Sequence, residues 1–209
     1  MKKFLQRISK INKVVIYLSL SDVFTWGPYT IISLLTGLYL STKLGQDVVQ
    51  FIGVGTSIYF FTRALLQIPI GILTDKLKND RDEILFLFSG VLLMGFPFLF
   101  YPHIVNQYQY FFLQFLFGLG ASMNVTNWRK LFALNIDSGR EGRQYSIYEV
   151  IMSVSTAFVC MLGGYIANMG DVYFDNVMRI SGIVMMLGGI WSILLYKYEE
   201  RNSKVKKLS

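Results

Sequence analysis

Asp22 is the only charged residue in the apolar run YLSLSDVFTWGPYTIISLL, residues 17–35, and Arg63 is the only one in the next apolar run. A charge in hydrocarbon costs at least ~2.5–3.5 kcal/mol on insertion scales, so such a group faces protein or water and finds a partner. Asp22 lies nine residues beyond Lys13, roughly 14 Å into its helix at ~1.5 Å per residue. Arg63 lies ten residues before Leu73, roughly 15 Å from that end. Half the hydrocarbon thickness is also ~15 Å. Two opposite charges are therefore expected near the midplane on consecutive antiparallel helices. They make either the wall of a substrate or ion pathway or a structural pair that pins two helices.

Spacing extends each charge into a stripe. Asp22, Trp26 and Tyr29 fall at i, i+4 and i+7, and Arg63 and Gln67 at i and i+4. On the fourth apolar segment Gln114, Ala121, Asn124 and Trp128 share a face, available to a cavity or to interhelical hydrogen bonds. Glu149, on a stripe with Tyr145, Met152 and Thr156, sits close enough to its helix start to meet Arg143. Arg179 is expected to snorkel or to meet Asp175. Gly27-Pro28 removes a backbone donor mid-helix and makes a plausible flex point. Gly53/Ser57, Gly118/Ser122 and Gly163/Ala167 have the spacing of close helix packing.

The elements that must carry these residues are membrane helices. The chain has 209 residues, 53% of them hydrophobic and 16% charged, against about 25% charged in ordinary globular domains. Six spans are read: 14–40, 48–73, 84–101, 108–127, 145–167 and 177–196, forming one all-α domain over 1–209. Lys and Arg number 17 on one side of these spans (Lys13, Lys76, Lys130 and Arg140 among them), and only Lys43 lies on the other. The positive-inside rule then puts both termini in the cytoplasm, with the tail RNSKVKKLS frayed near anionic headgroups. The localisation expected is a multi-pass protein of the cell membrane. The first run has no small-residue cleavage site after it and is not read as a signal peptide. The net charge of +7 is clustered between apolar runs without interleaved aromatics, so no nucleic acid is expected as a partner. Cys160 stands alone and makes no internal disulfide.

The second basic loop reads GILTDKLKND from Gly71. It resembles the G-x-x-x-D-(R/K) signature between the second and third helices of the major facilitator superfamily, matched by Gly71, Asp75 and Lys76. The continuation Leu77–Arg81 departs from that pattern. The connection NWRKLFALNIDSGREGRQYSIYEV is also similar to this superfamily, with Asp137, Arg140 and Arg143 at its acidic and basic places. The fourth helix lacks the embedded Arg of many members, and the fifth lacks the Gly- and Pro-rich antiporter pattern. The resemblance implies half of a twelve-helix fold whose two halves are related by an axis along the membrane normal. Two identical copies in the same orientation can reproduce that arrangement.

On this reading the chain is a half-size secondary transporter of a small solute, working as a homodimer by alternating access, with Asp22 responsive to protons or cations. Arg63, Trp26, Tyr29, Gln67, Gln114 and Asn124 line the pathway. Gly71, Asp75, Lys76, Asp137, Arg140, Arg143 and Glu149 form the cytoplasmic gate. The partners are the solute or ion, the bilayer and a second copy. The alternatives are a half requiring a different half, a piece of a longer transporter, and a non-transporting scaffold or accessory subunit. An enzyme is not expected. Gly120-Ala121-Ser122 is followed by Met123, and the single histidine, His103, is in an outer loop, so no base activates the serine. No metal or cofactor motif is present in the sequence.

Overall fold

The computed structural model describes residues 12–45, 47–76 and 80–208. Lys2, Lys3, Arg7, Lys10 and Lys78 of the basic count, and the motif continuation at 77–79, lie outside them. The described residues form a bundle of six membrane helices: α1 (Lys13–Leu44), α2 (Val48–Lys76), α3 (Asp80–Phe100), α4 (Gln107–Asn135), α5 (Glu141–Ala167), and a sixth split into α6 (Asp171–Leu187) and α7 (Gly189–Leu208). A single 3-10 turn, Tyr101–His103, follows α3.

Among the described residues, five segments are long and apolar enough to cross a membrane: α1, α2, α3 with its turn, α5, and α6 with the first half of α7. The fourth, α4, has the length at 29 residues but carries more polar side chains. Its position explains how it tolerates them. It packs against α3 on one side and α2 on the other, and Gly120, Ala121, Ser122, Asn124 and Asn127 are all buried in protein. A helix shielded from lipid does not need an apolar surface all round.

The contact between α3 and α4 depends on two glycines. A Cβ on Gly90 would lie 2.7 Å from the Asn124 backbone nitrogen, and one on Gly120 would lie 2.8 Å from that of Met94. Gly118 and Gly163 likewise admit α2 and α1, as the small-residue spacing implies, whereas Gly53 has no atom near it. Gly188, between α6 and α7, is pressed on Ser21 and Thr25 of α1. Ser21 Oγ donates to the Gly188 carbonyl at 3.2 Å. The segment that carries Asp22 is thereby fixed from behind.

α1 runs unbroken through Gly27-Pro28, and one expectation is corrected at the other end of the chain. The tail expected to fray continues α7 to Leu208.

The helices are unequally covered. About 44–50% of the most apolar stretch is buried in α1, α3 and the sixth span, but only 17% in α2 and 6% in α5. α5 leans on α1, and α2 on α4, with their other faces bare.

Candidate functional site: a charged cavity between four helices

Between α1, α2, α4 and α5 lies a cavity of about 640 Å³. α1 contributes Asp22 and Trp26, and α2 contributes Arg63. α4 contributes Asn124, Val125, Trp128, Arg129 and Ala133, and α5 contributes Tyr145, Tyr148, Glu149 and Met152. Of the seven pathway residues expected, four meet here: Asp22, Trp26, Arg63 and Asn124. The other three do not line it. Tyr29 turns into an aromatic cluster, stacked on Phe117 with centroids 4.9 Å apart. Gln114 donates through Nε2 to the Tyr110 hydroxyl at 2.7 Å. Gln67, half-buried on α2, stays outside. A 3.6-residue period assigns residues to a face, but Tyr29 and Gln114 find their partners among their own neighbours, away from the cavity.

Asp22 and Arg63 share the cavity without pairing. Asp22 is 4% exposed, and its Oδ2 accepts from the Tyr148 hydroxyl at 2.5 Å. Its charged neighbours are Glu149 and Arg129. Arg63 donates through Nη1 to the Tyr59 hydroxyl at 2.9 Å, one turn back on its own helix. No carboxylate among the described residues lies within 4.0 Å of the Arg63 guanidinium. The equal depth expected of the two charges does not make them a pair, because α2 packs on α4, leaving the cavity between its charge and α1.

Asn124 is fully buried, and neither its Nδ2 nor its Oδ1 has a hydrogen-bond partner. Buried amides are almost always satisfied, so this residue calls for a partner beyond the chain's own groups. Trp128 is anchored by donating Nε1 to the Leu18 carbonyl at 3.0 Å. It is stacked on Phe132 at 4.4 Å and tilted on Tyr148 at 5.0 Å. These contacts hold α1, α4 and α5 together around the Asp22 carboxylate.

The expected gate residues fall at the basic end of the bundle. Lys130, on the last turns of α4, reaches Asp75 at 2.9 Å and Glu83 at 2.8 Å, and donates to the Thr74 carbonyl at 3.1 Å. Those two carboxylates hold the Lys130 ammonium above its ordinary range, with the Glu83 hydrogen bond the larger influence. Asp75, in the last turn of α2, thus pairs with a neighbouring helix. Lys76 ends α2 exposed. Gly71 is not a tight point, since an added Cβ would meet Thr126 at an ordinary 3.7 Å. Asp137 is tied to Gln144, whose Nε2 donates to Oδ2 at 2.8 Å, and stands 4.0 Å from Arg140 at the start of α5. Arg143 lies in the first turn of α5.

Glu149 faces the cavity. Asp175 is bound to Lys43 at 3.3 Å and accepts from the Tyr39 hydroxyl, whereas Arg179 meets His103. Tyr148, Arg129, Lys130 and Glu83 were not singled out from sequence. Arg129 and Lys130 read there as loop cations only because α4 extends eight residues past the expected end at 127.

The bundle and its charged, aromatic-walled cavity define a polytopic helical membrane protein. The chain belongs to the Major Facilitator Superfamily, whose family profile matches residues 18–209. It is 28% identical over 152 residues to the uncharacterized MFS-type transporter YitZ of Bacillus subtilis (strain 168), a match covering 70% of this chain and 90% of that one. It is 27% identical over 177 residues to the uncharacterized MFS-type transporter YvqJ of the same organism, covering 83% of this chain but only 40% of that protein. No solved structure matches. Family and relatives support a transporter role in a membrane, with a solute as partner.

Proposed function

We propose that the chain is a secondary active transporter in which two copies, in the same orientation with termini in the cytoplasm, enclose one central pathway and work by alternating access. The observation that carries this reading is the cavity itself. Two carboxylates and two guanidinium groups face it, yet the two helices flanking it, α2 and α5, are the least covered in the bundle. Charges of this kind do not face lipid. A two-fold axis parallel to the helices sets α2 of one copy against α5 of the other, doubles the cavity and closes it. The match over 90% of YitZ agrees with a half-size unit. The 40% coverage of YvqJ favours one second reading, in which the other half is a different sequence.

In this account Asp22 takes up and releases the coupling proton, oriented by Tyr148. Arg63, Trp26 and Asn124 touch the solute, while Tyr29, Gln67 and Gln114 support them from behind. Lys130, bridging Asp75 and Glu83, joins α4 to α2 and α3 and holds the cytoplasmic side of the half together, with Asp137, Arg140 and Arg143 at the neighbouring turn. The test is proteoliposomes holding a pH-sensitive dye, pulsed with small solutes under an imposed proton gradient. Wild type acidifies or alkalinises the lumen with its solute, and Asp22→Asn transports without proton movement. Proton-coupled transport by Asp22→Asn at the wild-type level removes Asp22 from coupling.

A further inference from the structure

We propose that the solute is a small organic monoanion, a carboxylate with an apolar or aromatic body, and that Arg63 is its receptor. This rests on the reading of the cavity as the solute pathway and adds the solute's chemistry. Arg63 projects half-buried into the cavity from the middle of a membrane helix, where a cation without a counter-ion is unfavourable. Its one hydrogen bond within the chain goes to the neutral Tyr59 hydroxyl, and no carboxylate among the described residues is within 4.0 Å. A guanidinium has five N–H donors in a planar fork that matches a carboxylate. Most of that fork is unspent.

A second, independent observation lies on α4, the helix against which α2 packs. Asn124 is fully buried on the same cavity with its Nδ2 and Oδ1 both unpartnered. Its NH₂ donates to an anion that Arg63 holds. The other charges do not compete for that place. Asp22 is occupied by Tyr148, and Glu149 and Arg129, both exposed, sit around Asp22. Trp26, Trp128 and Met152 supply an apolar wall for the body of the solute. A cation has no matching place near Arg63, since its approach meets like charge, and a neutral solute leaves the guanidinium uncompensated.

Binding is measured on the purified full-length protein in nanodiscs, with Trp191→Phe so that fluorescence comes from the two cavity tryptophans. Trp191 is outside the cavity, stacked on Tyr17. The probes share one body: 3-phenylpropionate, 3-phenylpropan-1-ol and 3-phenylpropylammonium. The expected result is saturable binding of 3-phenylpropionate at least tenfold tighter than of the other two. Arg63→Gln abolishes the preference, and Arg63→Lys keeps part of it. Equal or tighter binding of the alcohol or the ammonium, a preference that survives Arg63→Gln, or no binding of 3-phenylpropionate overturns the proposal. Should Arg63→Gln not fold, phenylglyoxal modification of Arg63 in the wild-type sequence is read by peptide mass. 3-Phenylpropionate slows it at least fivefold if the proposal holds, and an unchanged rate overturns it. Neither readout involves transport, so loss of anion preference leaves the transporter reading standing. Failed coupling or failed dimerisation with anion preference intact strikes that reading alone.

Discussion

Lys130→Met removes the cation that Glu83 is paired with among the described residues. Glu83 is 3% exposed, and its Oε2 already lacks a partner. The substitution takes the 2.8 Å contact to Oε1 as well and leaves a buried carboxylate uncompensated. Breaking a buried pair from one side costs about 3–5 kcal/mol. The Lys130 side chain is 26% exposed, so water replaces part of its contribution and about 2–3 kcal/mol is expected. Asp75, with a side chain 71% exposed, adds less than ~0.5 kcal/mol. At about 2–4 °C per kcal/mol for a chain of this size, the melting temperature in nanodiscs falls by roughly 5–10 °C. Lys130→Met with Glu83→Gln recovers at least half of that, because the stranded charge is gone. A single-variant loss under about 2 °C, or a double variant no better than the single, refutes the argument that Glu83 depends on Lys130.

The same pair sets a pH expectation. Lys130 is raised above its ordinary value of 10.5, so its contribution is complete below that pH and is lost only as pH climbs through the higher folded value. The melting difference between wild type and Lys130→Met therefore stays constant from about pH 8 to 10 and shrinks above, as thermal melts across that range will show. Gly120→Val forces α3 and α4 apart, because even its Cβ would lie 2.8 Å from the Met94 nitrogen, and costs about 1–3 kcal/mol or more by thermal melting. Gly27→Ala is the contrast: nothing lies within 4 Å of the added Cβ, and the helix propensity gain leaves stability unchanged or raised by up to ~1 kcal/mol. Trp128→Phe gives up the hydrogen bond to the Leu18 carbonyl and lowers stability by about 1–2 kcal/mol in the same assay.

Much of the architecture was legible because membrane helices announce themselves by length and apolarity. Five of the six spans pass on those grounds, and most ends that moved went outward, by up to six residues and by twelve at the end of α7, as polar and basic turns continued the helices. α4 was legible by length, but its end was not. Arg129 and Lys130 look like loop cations in a string of letters, yet they complete a helix whose last turns lie at the basic end. The site was legible in height and not in azimuth. Rise per residue put Asp22 and Arg63 at one level, and both reached one cavity. Nothing in the period says which neighbour a helix will choose, so the partners Tyr148 and Tyr59 could not be read. Tyr148 precedes Glu149 by one residue, and only the packing of α5 on α1 makes it the group that meets Asp22.

The proposed dimer closes the cavity by setting α2 of one copy against α5 of the other. Cys160, the single cysteine, is on α5, and Ser57 is exposed on α2 at a similar distance from the same end of the bundle. In membranes from cells making Ser57→Cys, mild oxidation is predicted to give a covalent dimer that disappears when Cys160→Ser is added. No covalent dimer, or an equal yield from a cysteine placed on the lipid-facing side of α3 at Phe96, would contradict the account.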